Sequence, residues 1–283
     1  MFNGCAYILT VDVGNTFIRF GLFAEDSAAA QERPLATCEI TTPARITADE
    51  ARMRLAQVMG ALAADAGMPG ALVPAAAVLS CVVPALERPW KAALSRTCTG
   101  RVLTVGPGLK TGIPVHYDDP AEIGPDRIAD AVAARAVYGS PCIVIDLGTT
   151  TNIEVIDTHG TFVGGVIAPG LALGARSLSA AAARLPQVEP SAPTHVIGRN
   201  TREAMRSGVV LGEVARIDGM LDMVLAEMRA TKAAGEGDVP IVITGDDAEA
   251  LAALVGHSLT VDDALTLRGL AELYRINQKP RRV

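Results

Sequence analysis

The strongest constraint on the fold is an order of elements that the chain runs through twice. Val/Ile-rich runs, helical apolar spacing and turn residues predict strands near 6–12, 17–23 and 35–41, a helix near 48–66, a strand at 76–82, a helix near 85–96 and a strand at 101–105. The order is βββαβαβ. It begins again with strands near 142–147, 152–157 and 161–167, followed by Ala-rich helical sequence from about 171 to 184. A long helical region over 201–230, a strand at 240–244, a helix at 246–255, a short strand at 258–261 and a last helix at 264–276 complete the second copy. Three strands joined by short turns form a meander, and each later β-α-β step adds a parallel strand through a right-handed crossover. Each half should therefore carry a mixed sheet flanked by helices.

Each copy opens on a loop of one type. Asp12-Val13-Gly14-Asn15-Thr16 and Asp146-Leu147-Gly148-Thr149-Thr150 both follow an apolar run short enough to be a buried strand. Glycine lets the backbone approach an anion, the following N–H groups and hydroxyls can donate to it, and the Asp carboxylate can hold a hydrated metal ion. One such loop alone is an ordinary turn in which Asp and Asn bond their own backbone. Two, each after the first strand of its half, point to phosphoryl transfer. The expected class is α/β: duplicated actin-like (ribonuclease H-like) lobes whose interlobe cleft closes on a nucleotide and excludes water. The lobes are expected over 1–118 and 119–283, with the boundary somewhere in 113–140.

Composition narrows the partners. With 283 residues, 49% hydrophobic and 20% charged, the chain can bury two cores. A net charge of −6 speaks against a nucleic-acid surface, and the one basic cluster, Lys279 to Arg282, reads as a tail. Cys5, Cys38, Cys81, Cys98 and Cys142 form no C-x-x-C pair and read as buried thiols of a reducing cytoplasm. The four histidines lack zinc-ligand spacing. No apolar run approaches the ~20 residues that span a bilayer, and no basic leader precedes the first one, so a cytoplasmic protein without membrane contact is expected.

Between the halves, Gly106 to Arg127 is crowded with Gly and Pro and runs straight into an amphipathic helix. Pro125 suits the first turn of that helix and Asp126 its positive end, which by themselves describe only a well-made N-terminus. Phosphoryl transfer to an alcohol also needs a carboxylate to accept the hydroxyl proton, and Asp126 is the candidate. Arg127 could grip a carboxylate or phosphate in bidentate fashion, or serve as a surface ion-pair partner. Tyr117 could line a polar pocket or be a half-buried loop aromatic. Thr201, before Glu203, reads as an N-cap.

These residues resemble the type III pantothenate kinases of the actin-like kinase superfamily. The likeness runs through Asp12 to Thr16 with Gly21-Leu22-Phe23, Ser80 to Pro84, Thr111-Gly112 with Tyr117 and Pro120, and Gly124-Pro125-Asp126-Arg127-Ile128. It continues through Asp146 to Thr149, Gly164 to Gly170 with Leu185-Pro186, Ile197 to Thr201 with Ser207-Gly208 and Gly212, and Leu265 to Leu270. The resemblance implies ATP-dependent phosphorylation of pantothenate to 4′-phosphopantothenate, the first step towards coenzyme A. It implies that Asp12, Val13, Gly14, Asn15, Thr16 and Thr149 bind ATP, with Asp12 near Mg²⁺ through water, and that Asp126 is the general base. Tyr117, Gly124, Pro125, Arg127 and Thr201 would surround pantothenate, and Asp146 would hold a monovalent cation, K⁺ or NH₄⁺. A homodimer is implied too, with Thr201 belonging to a site that the second subunit completes.

The chain departs from the family pattern at Thr150, Asn152 and Glu154, at Pro125 and Asp130, and at Asp246-Asp247, where a glycine usually follows the Thr-Gly turn. Two other readings keep the fold. Another actin-like small-molecule kinase is disfavoured by the G-x-D-R-I loop, and a non-catalytic nucleotide-binding regulator by the joint presence of Asp12, Asp126 and Asp146.

Overall fold

The computed structural model describes residues 6–27, 30–68 and 72–278. Cys5 and the Lys279 to Arg282 cluster lie outside them. The chain forms two compact units. The first combines residues up to Val137 with those from Ala264 onward, and the second is Tyr138–Asp263. The division falls at 137/138, inside the expected 113–140 range but beyond the expected 118/119 cut, and the last helix returns to the first unit.

In the first unit β1 (Tyr7–Val13), β2 (Phe17–Ala24) and β3 (Ala36–Thr41) form the meander, and β4 (Ala76–Cys81) and β5 (Val102–Thr104) follow the helices α1 (Ala48–Asp65) and α2 (Pro84–Thr97). The sheet order is β3-β2-β1-β4-β5, with β1–β2 and β2–β3 antiparallel and β1–β4 and β4–β5 parallel. One face packs Leu9, Val11, Val13, Phe20 and Leu22 against Leu55, Leu62, Leu86 and Trp90 of α1 and α2. Phe20 and Trp90 meet at 5.7 Å with ring planes tilted by 59°. α1 starts where the sequence dictates. Thr47 Oγ1 accepts from the Glu50 N–H at 3.2 Å and Glu50 Oε2 accepts from the Thr47 N–H at 2.8 Å, a reciprocal cap.

The opposite face of that sheet is covered by a helix late in the chain. α3 (Pro125–Tyr138) ends the first pass through the unit, and α8 (Leu265–Ile276) packs on β1, β2 and β4. Gly269 lets the two helices touch backbone to backbone, because a Cβ there would stand 1.9 Å from the Ala129 carbonyl oxygen. Gly269→Ala forces the helices apart. A loss of about 3 kcal/mol is expected, read as a lowered urea midpoint with α-helical content retained in the native baseline.

The second unit repeats the pattern. β6 (Cys142–Leu147), β7 (Thr150–Ile156) and β8 (Phe162–Pro169) form the meander, and β9 (Ile241–Gly245) and β10 (Thr260–Val261) add the parallel strands. The order β8-β7-β6-β9-β10 is that of the first sheet, element for element. α4 (Leu171–Ala181), α5 (Thr201–Arg206), α6 (Gly212–Ala230) and α7 (Ala248–Ala252) flank it. The core joins Ile143, Ile145 and Ile243 of the sheet to Ile217 and Leu221 of α6 and Leu251 of α7. The duplicated actin-like arrangement expected from the repeat is thus the fold. The expected 201–230 helix is continuous but widens by one five-residue π turn, Ser207–Leu211, between α5 and α6. Such a turn accommodates an extra residue at the cost of helical hydrogen bonding and is common near functional sites.

Among the described residues no helix is long and apolar enough to cross a membrane. Cys38, Cys81, Cys98 and Cys142 carry free thiols. Burial pushes Cys81 and Cys98 up to about 11 and Cys142 to about 12, so these three stay protonated and weakly nucleophilic near neutral pH.

Candidate active site

In the first unit β1 delivers Asp12 and Val13 to the turn Gly14–Thr16. Gly14 donates to the Phe17 carbonyl at 3.0 Å, while Thr42 Oγ1 donates to the Gly14 carbonyl at 2.7 Å and the Thr42 N–H to the Thr16 carbonyl at 2.9 Å. The turn is pinned from behind, and Asn15 and Thr16 are left exposed.

Asp12 is only 8% exposed. Burial, then the charge of Asp126, pushes its carboxyl up to about 6. Ser80, in register on β4, and the Arg19 guanidinium, in register on β2, pull it the other way. Its Oδ1 is buried with no hydrogen-bond partner among the described residues. A hydrated Mg²⁺ fits this donor set, since a hard cation takes oxygen ligands and relieves a buried carboxylate that faces a second one.

Asp126 enters from the first turn of α3, after a 3₁₀ turn over Pro120–Glu122 that Asp119 caps. Its Oδ1 accepts from the Arg127 N–H at 2.8 Å. Burial raises its pKa, against this hydrogen bond and the Arg127 charge. Arg127 is 5% exposed, so its cation is buried rather than spread on the surface, which sets aside the surface ion-pair reading. Gly124 has a steric reason in this arrangement, because a Cβ there would lie 2.3 Å from Asp126 Oδ1. Gly124→Ala should swing the carboxylate off its position and lower kcat by about tenfold to hundredfold with the melting temperature held within a few degrees. Tyr117 is half-buried in the preceding loop. Beside the start of α3 lies a cavity of about 370 Å³ walled by Val105, Leu109, Val115, Ile123, Pro125 and Ile128, among others, with no charged side chain in its lining.

In the second unit the equivalent loop joins β6 to β7. Gly148 donates to the Thr150 carbonyl at 3.0 Å, and Gly170, which leads into α4, donates to the Thr149 carbonyl at 3.0 Å. A Cβ at Gly170 would meet the Gly148 carbonyl oxygen at 2.2 Å, so the start of α4 lies directly against this loop. The Asp246 N–H donates to the Leu147 carbonyl at 2.6 Å, tying the Asp246-Asp247 turn to the same loop beside Asp146. Thr201 is not the cap of α5. Asn200 Oδ1 accepts from the Glu203 N–H at 3.0 Å, and Thr201 is the exposed first helical residue, its hydroxyl not spent on the cap.

The structure therefore brings Asp12, Asp126 and Arg127 together in one unit, and Asp146 and Thr149 together on one loop of the other. Sequence reasoning passed over Glu213, which is 4% exposed and accepts a 2.6 Å hydrogen bond from Thr151 Oγ1. A signal was present: Glu213 lies on an apolar stripe made by Val210 of the π turn and Val214, Ile217 and Leu221 of α6, where a lone carboxylate needs a buried partner.

Comparison with known proteins adds independent findings. The family model for type III pantothenate kinase matches residues 8–223. A type III pantothenate kinase from Koribacter versatilis is 37% identical over 275 residues, covering 96% of each chain. Another, from Nocardia farcinica, is 40% identical over 285 residues, covering 97% of this chain and 99% of its own. Two solved structures share the fold. A conserved candidate Baf family transcriptional activator from Campylobacter jejuni has a TM-score of 0.55 at 19% identity, covering 95% of this chain and 98% of its own. The ethanolamine utilization protein EutJ from Carboxydothermus hydrogenoformans has a TM-score of 0.53 at 15% identity, covering 94% and 89%.

Proposed function

The chain belongs to the type III pantothenate kinase family, and from that premise we propose how its residues divide the work of moving a phosphoryl group from ATP to an alcohol. The reaction is the ATP-dependent phosphorylation of pantothenate to 4′-phosphopantothenate, the first step of coenzyme A biosynthesis. The observation that carries the division is the buried Asp12 carboxylate within electrostatic reach of the half-buried Asp126, whose neighbour Arg127 carries a buried cation.

Asp126 accepts the proton of the primary hydroxyl as that oxygen attacks the γ-phosphorus. Burial strengthens it as a base, and its bond to the Arg127 N–H fixes its direction. Arg127 takes the pantothenate carboxylate, a bidentate partner for a planar cation, and Tyr117, Gly124, Pro125 and Thr201 complete the substrate contacts. The N–H groups and hydroxyls of Gly14, Asn15 and Thr16, following Asp12 and Val13, hold the ATP phosphates, with Thr149. Asp12 would hold Mg²⁺ through its water shell, which supplies charge neutralisation to the phosphates. Asp146 takes the monovalent cation, K⁺ or NH₄⁺. A homodimer in the cytoplasm is the expected assembly, to be checked by light scattering.

Pantothenate-dependent ADP release in the presence of Mg²⁺ and K⁺ tests the assignment. Turnover that needs both pantothenate and ATP is the expected result. ATP hydrolysis indifferent to pantothenate, or transfer only to a sugar, would overturn it.

A further inference from the structure

We propose that Glu213 and Arg216 of α6, acting through Thr151 and Pro169, are positioning residues for the loop that carries Thr149. The inference rests on the reading above that Thr149 binds the nucleotide. Glu213 is buried at the first turn of α6, directly after the π turn, and makes two charge-assisted contacts. One carboxylate oxygen accepts from Thr151 Oγ1 at 2.6 Å, and the other accepts from the Arg216 guanidinium. That same guanidinium nitrogen donates to the Pro169 carbonyl at 2.6 Å. Thr151 lies at the β7 end of the loop, and Pro169 lies opposite that end on β8. Thr151 lies two residues beyond Thr149 on β7, and Pro169 pairs with Thr150 and precedes Gly170, whose N–H holds the Thr149 carbonyl. The β7 end of the loop and the β8 residue beside it are thus tied to one helix by one carboxylate and one guanidinium.

The chemistry explains why this arrangement specifies a position rather than only filling space. A buried carboxylate in an apolar stripe is tolerated only when its acceptor sites are met, so Glu213 has one low-energy geometry. Hydrogen bonds to ionised groups are short and directional, and turning the Thr151 hydroxyl to another acceptor would leave that Glu213 oxygen without its donor. An apolar residue at 213 could pack against Val210 and Ile217 but would leave the β7 end of the loop held by backbone bonds alone, without a side-chain tie to α6. A loop positioned this way should affect the ligand held by Thr149 and not the one held by Asp126 and Arg127.

The test is steady-state kinetics on Thr151→Val, Thr151→Ser, Glu213→Gln and Thr149→Ala. Thr151→Val keeps shape and removes the hydroxyl, so it should raise KM for ATP about tenfold, leave KM for pantothenate within twofold and change kcat less than threefold. Thr151→Ser retains the hydroxyl and should restore KM for ATP to within twofold of the parent. Glu213→Gln keeps an oxygen for the Thr151 hydroxyl but turns an N–H₂ towards the Arg216 guanidinium, breaking the same Thr151–Glu213–Arg216–Pro169 linkage at its other contact, so it should match Thr151→Val, and the double variant should be no worse than either single one. If Thr149→Ala raises KM for ATP while Thr151→Val and Glu213→Gln leave it unchanged, the positioning role is wrong. Equal rises in both KM values would also overturn it, since that is the signature of a general loss of structure. If Thr149→Ala has no effect on ATP, the nucleotide reading fails and the inference fails with it.

Discussion

Replacing Asp12 with Asn is expected to give a more stable protein that is nearly inactive. Asp12 rises from its ordinary 3.8 to about 6 in the folded chain, so between these values the native state holds a proton that the unfolded chain has released. Stability then falls as pH climbs through that window, and the deficit persists above it. The full shift corresponds to about 3 kcal/mol. Asn carries no charge to bury, so Asp12→Asn in EDTA at pH 7.5 should melt several degrees above the parent, and the gap should close near pH 4. Mg²⁺ should narrow the gap by raising the parent alone. The kinase rate should fall by roughly 10²–10³-fold, because the phosphates lose the charge neutralisation that a held cation gives them. A variant that is less stable than the parent at pH 7.5, or one that retains normal turnover, contradicts this account.

Asp126→Asn should produce the largest loss of rate. An amide keeps the Oδ1 acceptor for the Arg127 N–H, now at 2.8 Å, so the start of α3 is preserved. It cannot accept a proton from the hydroxyl. We expect kcat to drop by about 10³-fold with both KM values within a few-fold, which is the pattern of a group that acts only in the transition state. The acid limb of the pH–rate profile should vanish with it, since the group that must lose its proton is gone. Normal turnover in this variant would remove Asp126 from the chemistry and leave the family assignment intact.

The sequence made the repeat legible because β1 and β6 are apolar runs bounded by an Asp-x-Gly turn, and because α1 announces itself through Thr47 and Glu50. It made Asp12 and Asp126 legible as separate carboxylates. Their proximity was not, since it depends on where the loop before α3 returns the chain relative to β1, which no local pattern encodes. Helical periodicity shows that α8 has an apolar side but not which sheet covers it. Gly269, which admits the close contact with Ala129, gives no signal in isolation. The π turn at Ser207–Leu211 was hidden because a segment of one turn is too short for its shift of apolar phase to stand out from an ordinary break in the stripe. Thr201 was assigned to the cap one position late, as Asn and Thr both cap well and the difference lies in backbone angles.

The return of α8 to the first unit has a consequence for the order in which the protein matures. Tyr138–Asp263 is one uninterrupted stretch with its own core, so it can fold while synthesis continues. The first unit cannot finish on the same schedule. Its sheet is translated first, yet the helix that covers β1, β2 and β4 is translated after all of the second unit. The backbone contact of Gly269 with Ala129, two residues after Arg127, is therefore among the last to form. The nascent chain carries Asp126 and the loops after β1 and β6 long before α3 has its final support, and kinase activity should appear only after release of α8 from the ribosome.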